Sequence, residues 1–324
     1  MNYRSLLMVC LATLGLAVAS WGQADGKIAF LSYRENYENP RDIWVRDVWI
    51  MNADGSDPVN LTQGQYCASP IWSPDGTKIA YSATGDDYSG RYIWVVDADG
   101  GNRKQLTDDI EKVGPNSADD LFWSEDGSSI YYHVWDRSEL VAVALDGSGS
   151  AIMEWTEAAL LLRRFWDRRN FSPDGTKRAT TVLLRGDEYV QALLVMTSED
   201  WKMPKNSKDR FPAILLSGQP VDLFFQDYGD SWILTSFPLT WAPNGTRVAF
   251  TSYTILSSTD TSYSLTGDGE IWAVDIDGGH LVNLTNGLGG EYPIWQPAVP
   301  SATATSVEVQ SWGRIKALLS TGAR

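Results

Sequence analysis

Cysteine and histidine are nearly missing from this chain, which has 2 of each among its 324 residues. Cys10 lies inside an apolar segment at the start of the chain, so Cys67 alone remains for the folded part. The pattern therefore predicts no intrachain disulfide and a fold held by its hydrophobic core. His133 and His280 lie far apart in sequence. We therefore predict neither a metal ion nor a cofactor.

Positive charge is also scarce, since 26 Lys and Arg face 41 Asp and Glu and leave a formal net charge of −15. An acidic surface repels a phosphate backbone, so we predict no nucleic-acid binding. The same charge favours a cationic partner and keeps the protein soluble, and we expect a monomer.

Long apolar runs are absent apart from Leu6–Val18, which follows Arg4. This run is too short to span a bilayer as a helix, and a basic residue before a short apolar run is typical of a signal peptide. Residues 1–24 are therefore predicted to be a leader, cleaved after Ala19 or Ala24. The alternative is an uncleaved membrane anchor. We expect an exported protein, periplasmic or extracellular, with no membrane span after the leader is removed.

Turn-forming and aromatic residues are abundant, with 28 Gly, 14 Pro, 15 Trp and 14 Tyr. That composition indicates an all-β protein of short strands. A repeated motif agrees with it and joins an aromatic residue to a turn of the Ser-Pro-Asp-Gly type and an alternating strand. Its aromatic anchors and turn residues are Trp72, Asp75, Gly76, Trp123, Asp126, Gly127, Phe171, Asp174, Gly175, Trp241 and Gly245.

Turn chemistry explains this motif. Proline fixes φ at the first central position, Asp or Asn tolerates the second, and Gly takes the positive φ that closes the hairpin. A third strand then ends in an Asp-Gly turn, as at 93–100, and a short fourth strand stops at Leu-Thr, as at 105–107. Each unit is a meander of strands A to D. Such sheets bury their faces by stacking radially, as the blades of a β-propeller.

These repeats resemble those of the TolB-type, WD-repeat-like propellers. The resemblance rests on residues 72–81 and 93–101 and on the Leu-Thr endings, and it covers about residues 26–297. It implies an envelope protein that captures a partner protein on one face. The resemblance implies six blades, whereas five aromatic anchors are recognisable here, the fifth being Trp295. The long step from 171 to 241 leaves room for a sixth, but we prefer five blades with an insertion.

The two ends of the repeat region complement each other. Residues 292–295 repeat the strand A pattern of 69–72 without a following hairpin, and residues 26–30 repeat strand B without a preceding strand A. We predict that the C-terminal strand pairs with the N-terminal blade and closes the ring, which removes exposed edges. The domain prediction is a leader at 1–24, a propeller at 25–297, and a linker and tail at 298–324.

The meander separates two faces. Short, similar A–B and C–D turns form one face, called the turn face below, and long, dissimilar B–C and D–A loops form the loop face. Binding residues concentrate on variable loops held by a rigid frame, so the loop face is the predicted site. Its candidates are Tyr37, Asp86, Asp87, Tyr88, Arg91, Asp119, Asp120, Trp166 and Tyr292.

The predicted function is a non-catalytic, exported scaffold that binds a protein partner through the loop face. No Gly-x-Ser-x-Gly nucleophile elbow occurs in the sequence, so no catalytic residue is predicted. The alternative is a carbohydrate-binding or carbohydrate-active propeller, in which paired carboxylates act on a sugar and aromatic residues stack on it. A third possibility is a module that binds a small ligand or a metal in the central channel.

Overall fold

A computed structural model describes 15 segments of the chain. The prediction of an all-β fold is confirmed, because these residues form 23 strands and no helix. The described residues are 26–33, 45–64, 66–84, 91–107, 121–134, 139–154, 170–185, 189–197, 210–215, 220–224, 232–233, 239–253, 255–258, 263–265 and 269–298.

The first blade joins strands from the two ends of the repeat region. Its antiparallel order is β23 (Glu291–Trp295), β1 (Lys27–Ser32), β2 (Asp47–Asn52) and β3 (Val59–Asn60). Ile28 of β1 lies opposite Trp295, and Ala29 lies opposite Ile294. The pairing of the C-terminal strand with the N-terminal blade is therefore present, as the sequence predicts.

The second and third blades are simple meanders of four strands each. The second runs in the order β4 (Ala68–Trp72), β5 (Lys78–Thr84), β6 (Arg91–Asp97) and β7 (Lys104–Gln105). The third contains β8 (Leu121–Trp123), β9 (Ser129–Val134), β10 (Glu139–Ala144) and β11 (Ser150–Ile152), in the same sequential order.

The fourth blade departs from this pattern. Its strands are β12 (Lys177–Arg185), β13 (Tyr189–Thr197), β14 (Arg210–Leu215), β15 (Pro220–Phe224) and β16 (Trp232–Ile233). They are ordered β15-β14-β13-β12-β16, and Phe171 makes an isolated bridge to Arg178 of β12. Strands β15 and β16, from the long step between 171 and 241, therefore join this blade, and the described residues contain no separate blade there.

The fifth blade consists of β17 (Leu239–Trp241), β18 (Arg247–Ser252), β21 (Glu270–Asp275) and β22 (Val282–Asn283). A hairpin of β19 (Ile255–Ser258) and β20 (Tyr263–Leu265) is inserted in its B–C loop. No repeat or turn pattern in the sequence predicts this hairpin. Strands of neighbouring blades contact one another in the order β8, β4, β23, β17 and β12, which is the neighbour order of propeller blades.

Indole hydrogen bonds link neighbouring blades. Each bonded anchor donates Nε1–H to the carbonyl of the residue just before the aromatic anchor of the adjacent blade. Such a bond satisfies a polar atom that burial would otherwise leave unpaired. The bonds run from Trp72 to Ile294 (3.0 Å), from Trp123 to Ile71 (3.4 Å) and from Trp241 to Asn170 (3.0 Å).

The repeated Leu-Thr ending has a structural explanation. In three blades the threonine hydroxyl accepts the backbone N–H at the start of strand C, which ties the end of the short strand D to its neighbour. Hydroxyl-to-backbone bonds of this kind satisfy buried donors. The pairs are Thr62 with Val48, Thr107 with Ile93 and Thr285 with Ile271, each at 3.0 Å.

Candidate functional site

The first strand of the first blade contains a bulge at its loop-face end. Its register with β1 shifts between Ala29 and Leu31, and Tyr292 takes a left-handed backbone with φ 55°. A bulge re-aims the side chains around it. The Tyr292 side chain stays 40% exposed, while its backbone N–H donates to Thr251 Oγ1 at 3.2 Å.

Glu291, next to that exposed ring, is buried and has several partners. It is 6% exposed, and its Oε2 lies 3.6 Å from Nη1 of Arg46. The Tyr253 hydroxyl donates a hydrogen bond to the Glu291 carboxylate. The guanidinium of Arg46 also lies over the Tyr33 ring, 5.9 Å from its centre. We call these five residues, Tyr33, Arg46, Tyr253, Glu291 and Tyr292, the mouth cluster.

The Tyr253 phenol has a raised pKa. Burial is the main cause, and the negative charge of Glu291 and its hydrogen bond act in the same direction. Tyr292 and Tyr33 contribute further small increases. A phenol with a raised pKa remains protonated at neutral pH, so Tyr253 acts as a hydrogen-bond donor in the cluster.

Loop ends bring the mouth cluster together. Tyr33 follows β1 and Arg46 precedes β2, so they flank the B–C loop of the first blade, while Tyr253 follows β18 in the fifth. Gly290 holds the fifth and first blades close, since its N–H donates to Gly269 O at 2.6 Å. A Cβ at Gly290 would lie 2.9 Å from Ile271 Cδ1, so a larger residue there would displace the Ile271 side chain.

A buried network of hydrogen bonds around Asp47 supports the mouth cluster. Asp47, next to Arg46, accepts hydrogen bonds from Thr62 Oγ1 at 2.9 Å and from the Gly64 N–H at 2.6 Å. Its second oxygen accepts from Asn60 Nδ2 at 2.9 Å. These bonds hold the D–A loop between the first and second blades against the start of β2, which fixes the backbone that carries Arg46.

The described residues include two of the residues predicted for the site. Arg91 begins β6 in the second blade and donates from Nη1 to Ser82 Oγ at 3.0 Å, and Tyr292 lies in the first blade. The remaining predictions lie outside the described residues: Tyr37, Asp86, Asp87, Tyr88, Asp119, Asp120 and Trp166.

Sequence reasoning missed Tyr33, Arg46, Tyr253 and Glu291. Their common signal is position, because each lies directly at the end of a loop-face loop, where a rigid strand fixes the backbone. The residues predicted from the sequence lie mostly in the middles of the loops or in pairs of charges. Arg46, alone at one end of a loop, and Glu291, at the start of a strand, form no such charge pair in the sequence.

Some chemistry has no support among the described residues. No group of three or more His, Cys, Asp or Glu is arranged there to hold a metal ion. Nor do those residues form a helix long and apolar enough to cross a bilayer. Burial raises the pKa of the Cys67 thiol to about 12, so this thiol is protonated and unreactive at neutral pH.

The order of the blades, with the repeated turn motif in four of them, decides the fold. The chain is a β-propeller, and its repeats resemble those of TolB-type propellers. No family model matches it. A curated relative, dipeptidyl-peptidase 5 of Porphyromonas endodontalis, is 24% identical over 278 residues, which are 73% of this chain and 36% of that protein. The chain thus spans about a third of the length of this relative.

Two solved structures illustrate the matches to known folds. TolB from Acinetobacter baumannii is 16% identical, with 84% of this chain and 67% of TolB covered and a TM-score of 0.47. The β-propeller domain of the Trilobed protease from Pyrococcus furiosus is 11% identical, with 80% and 68% covered and a TM-score of 0.30.

The prediction that this chain is not an enzyme is wrong, because the curated relative it matches is named a dipeptidyl-peptidase. That prediction rested on the missing Gly-x-Ser-x-Gly elbow. The match spans 36% of the relative, so a motif missing here carries no weight against a peptidase role.

Proposed function

We propose that this protein is an exported, polypeptide-binding propeller with a role in peptide hydrolysis. The polypeptide binds on the loop face, at the mouth cluster between the first and fifth blades. The observation that carries the proposal is Tyr292, a 40% exposed aromatic residue on an inner strand, with Glu291 and Arg46 beside it.

The chemistry of the mouth cluster suits a polypeptide. Aromatic residues with an adjacent arginine are the side chains that contribute most to binding at protein interfaces. A rigid frame lowers the entropic cost of binding, and here a bulged strand holds the Tyr292 backbone. The relative named dipeptidyl-peptidase 5 acts on peptides by its name, which supports a peptide ligand over a glycan.

The sequence supports export and the domain limits. Arg4 and the apolar run that follows it form the proposed leader at 1–24, the propeller occupies 25–297, and 298–324 form a linker and tail. Fractionation of cells that express the full chain, with N-terminal sequencing of the product, tests this part. A product in the cytoplasm that retains Met1 would contradict it.

A peptide-array measurement tests the function. We expect the full chain to bind a subset of unstructured peptides and Tyr292→Ala to weaken binding by about tenfold, as truncation of an interface aromatic does. Val282→Ala is the matched control, because Val282 is also 40% exposed but lies on an outer strand. Incubation of each bound peptide with the protein, followed by mass spectrometry, shows whether it is cleaved.

Binding of glycans with no binding of any peptide would contradict the proposal and support a carbohydrate-binding propeller. Peptide binding that Tyr292→Ala leaves unchanged would move the site away from the mouth cluster.

A further inference from the structure

The two charged groups of the mouth cluster are unequally engaged. The side chain of Glu291 is 8% exposed, and it accepts a hydrogen bond from the Tyr253 hydroxyl. The side chain of Arg46 is 26% exposed. Among the described residues, its one charged partner is Glu291, and their 3.6 Å separation is longer than a hydrogen bond. Arg46 is therefore the more available charge at the mouth.

A guanidinium in this position has donors to offer. Arginine carries five N–H groups in a planar fork that matches the two oxygens of a carboxylate. Here one side of the group faces Glu291 and its plane lies near the Tyr33 ring, 5.9 Å from the ring centre. Within the part of the chain that the structure describes, these two contacts orient the guanidinium without saturating its N–H groups.

We propose that Arg46 binds a carboxylate of the polypeptide held at the mouth cluster, an inference that rests on the proposed function. Tyr292 packs against the residue beside that carboxylate, and Glu291 and Tyr33 position Arg46. The carboxylate belongs either to an Asp or Glu side chain of the ligand or to its C-terminus. Glu291 does not bind a cationic group of the ligand, because its carboxylate is buried and already engaged.

The net charge of the chain allows an experiment to distinguish a carboxylate ligand from a cationic ligand. At −15 the protein repels an anionic peptide at long range and attracts a cationic one. Salt screens these long-range forces more than a partly buried contact. A carboxylate ligand should therefore bind equally well or better as salt rises, whereas a cationic ligand should bind less well.

Four tetrapeptides of otherwise identical sequence provide the probes. One has a glutamate and blocked ends, one has no charged side chain and a free C-terminal carboxylate, one has a lysine and blocked ends, and one is neutral and blocked. Calorimetric titration of the full chain at low and high salt gives eight affinities. We expect one or both carboxylate peptides to bind at least about tenfold more tightly than the neutral and lysine peptides.

Arg46 variants identify the group responsible. Arg46→Met should remove the preference for carboxylate, and Arg46→Lys, which keeps the charge but loses the fork, should restore part of it. Because Arg46→Met leaves Glu291 buried without its cation, the protein with both Arg46→Met and Glu291→Gln serves as a second test. Thermal melts and near-ultraviolet circular dichroism check that each variant is folded.

The outcomes separate this inference from the proposed function. If the neutral or lysine peptide binds as tightly as both carboxylate peptides, or if the folded variants keep the preference, carboxylate recognition is wrong and polypeptide binding stands. If none of the four peptides binds and the peptide array is also blank, both proposals are wrong.

Discussion

The two faces of the propeller use their polar groups in different ways. On the turn face, Asp75 accepts hydrogen bonds from Ser73 Oγ at 2.6 Å and from the N–H and hydroxyl of Thr77 at 3.0 and 2.9 Å. On the loop face, Arg46 has a charged partner at 3.6 Å. Among the described residues, the first arrangement recurs at Asp126 and Asp174, whereas the second is found only at Arg46. Repeated, satisfied groups build the frame, whereas an unrepeated, partly engaged group is available to a ligand.

Strands β4 and β23 sharpen this contrast, because they have the same backbone conformation and different side chains. Both are bulged, with Ser69 at φ 51° before Pro70 and Tyr292 at φ 55° before Pro293. The left-handed residue is therefore part of the frame and is no sign of function by itself. What distinguishes the first blade is a Glu and a Tyr at positions where the second has Ala68 and Ser69.

The largest expected effect tests whether the blades share one frame. Trp72→Ala and Trp295→Ala should each lower the free energy of unfolding by about 3–5 kcal/mol, because both indoles are buried. Urea denaturation of the purified proteins measures the loss. Trp72→Phe is the control, because it keeps most of the packing and removes the hydrogen bond to the Ile294 carbonyl. Loss of that hydrogen bond should lower the free energy of unfolding by about 1 kcal/mol, in addition to the effect of the packing change. A loss below about 1 kcal/mol for Trp72→Ala would show that the anchor is not part of the core.

The turn face allows a matched test of crowding. Gly76 and Gly175 have nearly the same φ, 68° and 71°, but a Cβ at Gly76 would lie 3.2 Å from Cγ of Gln296, while one at Gly175 meets nothing within 4 Å. Gly175→Ala should lose about 1–2 kcal/mol from left-handed strain alone. Gly76→Ala should lose more, because it also displaces Gln296.

Gln296 matters because it bonds two blades. Its Oε1 accepts from the Lys27 N–H at 3.0 Å, and its Nε2 donates to Gly76 O at 2.7 Å. Equal losses for the two alanine variants, measured by urea denaturation, would show that this contact adds nothing to stability.

Exchange of side chains between β23 and β4 tests the loop face directly. Tyr292→Ser should weaken peptide binding by about 1–2 kcal/mol, and stability should change by less than about 0.5 kcal/mol, because the ring is exposed. Ser69→Tyr should create no second site, since Ala68 supplies no partner for an arginine. Titration with the peptides selected on the array measures both. Tighter or additional binding by Ser69→Tyr would show that an exposed ring on a bulge is sufficient.

The smallest expected effect is on the stability of the fold at low pH. Hydrogen bonds from the Ser172 hydroxyl and from the N–H and hydroxyl of Thr176 lower the pKa of Asp174 from 3.8 to about 2. A lowered folded-state pKa contributes stability that is complete above pH 3.8 and is lost as pH falls towards 2. Asp174→Asn should therefore flatten the fall in stability over that interval.

Asn244 supplies the natural comparison for this test. It accepts the same bonds from Thr246, at 3.0 and 2.9 Å, without a titratable group. Asn244→Asp should make the fifth blade acid-sensitive in the same interval, as urea midpoints at several pH values would show. Unchanged midpoints in both variants would mean that these turns do not control acid stability.

Local sequence patterns are enough to predict the strand order within most blades. Turn residues such as Asp75 and Gly76 act over four positions, and alternation acts over a single strand, so both can be read locally. The partnership of the terminal strands was also readable, because each end carried a recognisable fragment of the same repeat. The strand order of the fourth blade was harder to predict from the sequence. This blade includes two strands, β15 and β16, that carry no repeat signature.

The mouth cluster depends on contacts between blades that local sequence patterns do not predict. Arg46 and Glu291 are 245 positions apart in the chain, yet the pairing of β23 with β1 brings them within 3.6 Å. Tyr253 comes from another blade and reaches them because Gly269 and Gly290 allow the fifth and first blades to approach closely. Local patterns report the turns and strands that neighbouring residues form, whereas contacts between blades depend on how separate sheets pack, and no short stretch of sequence records that.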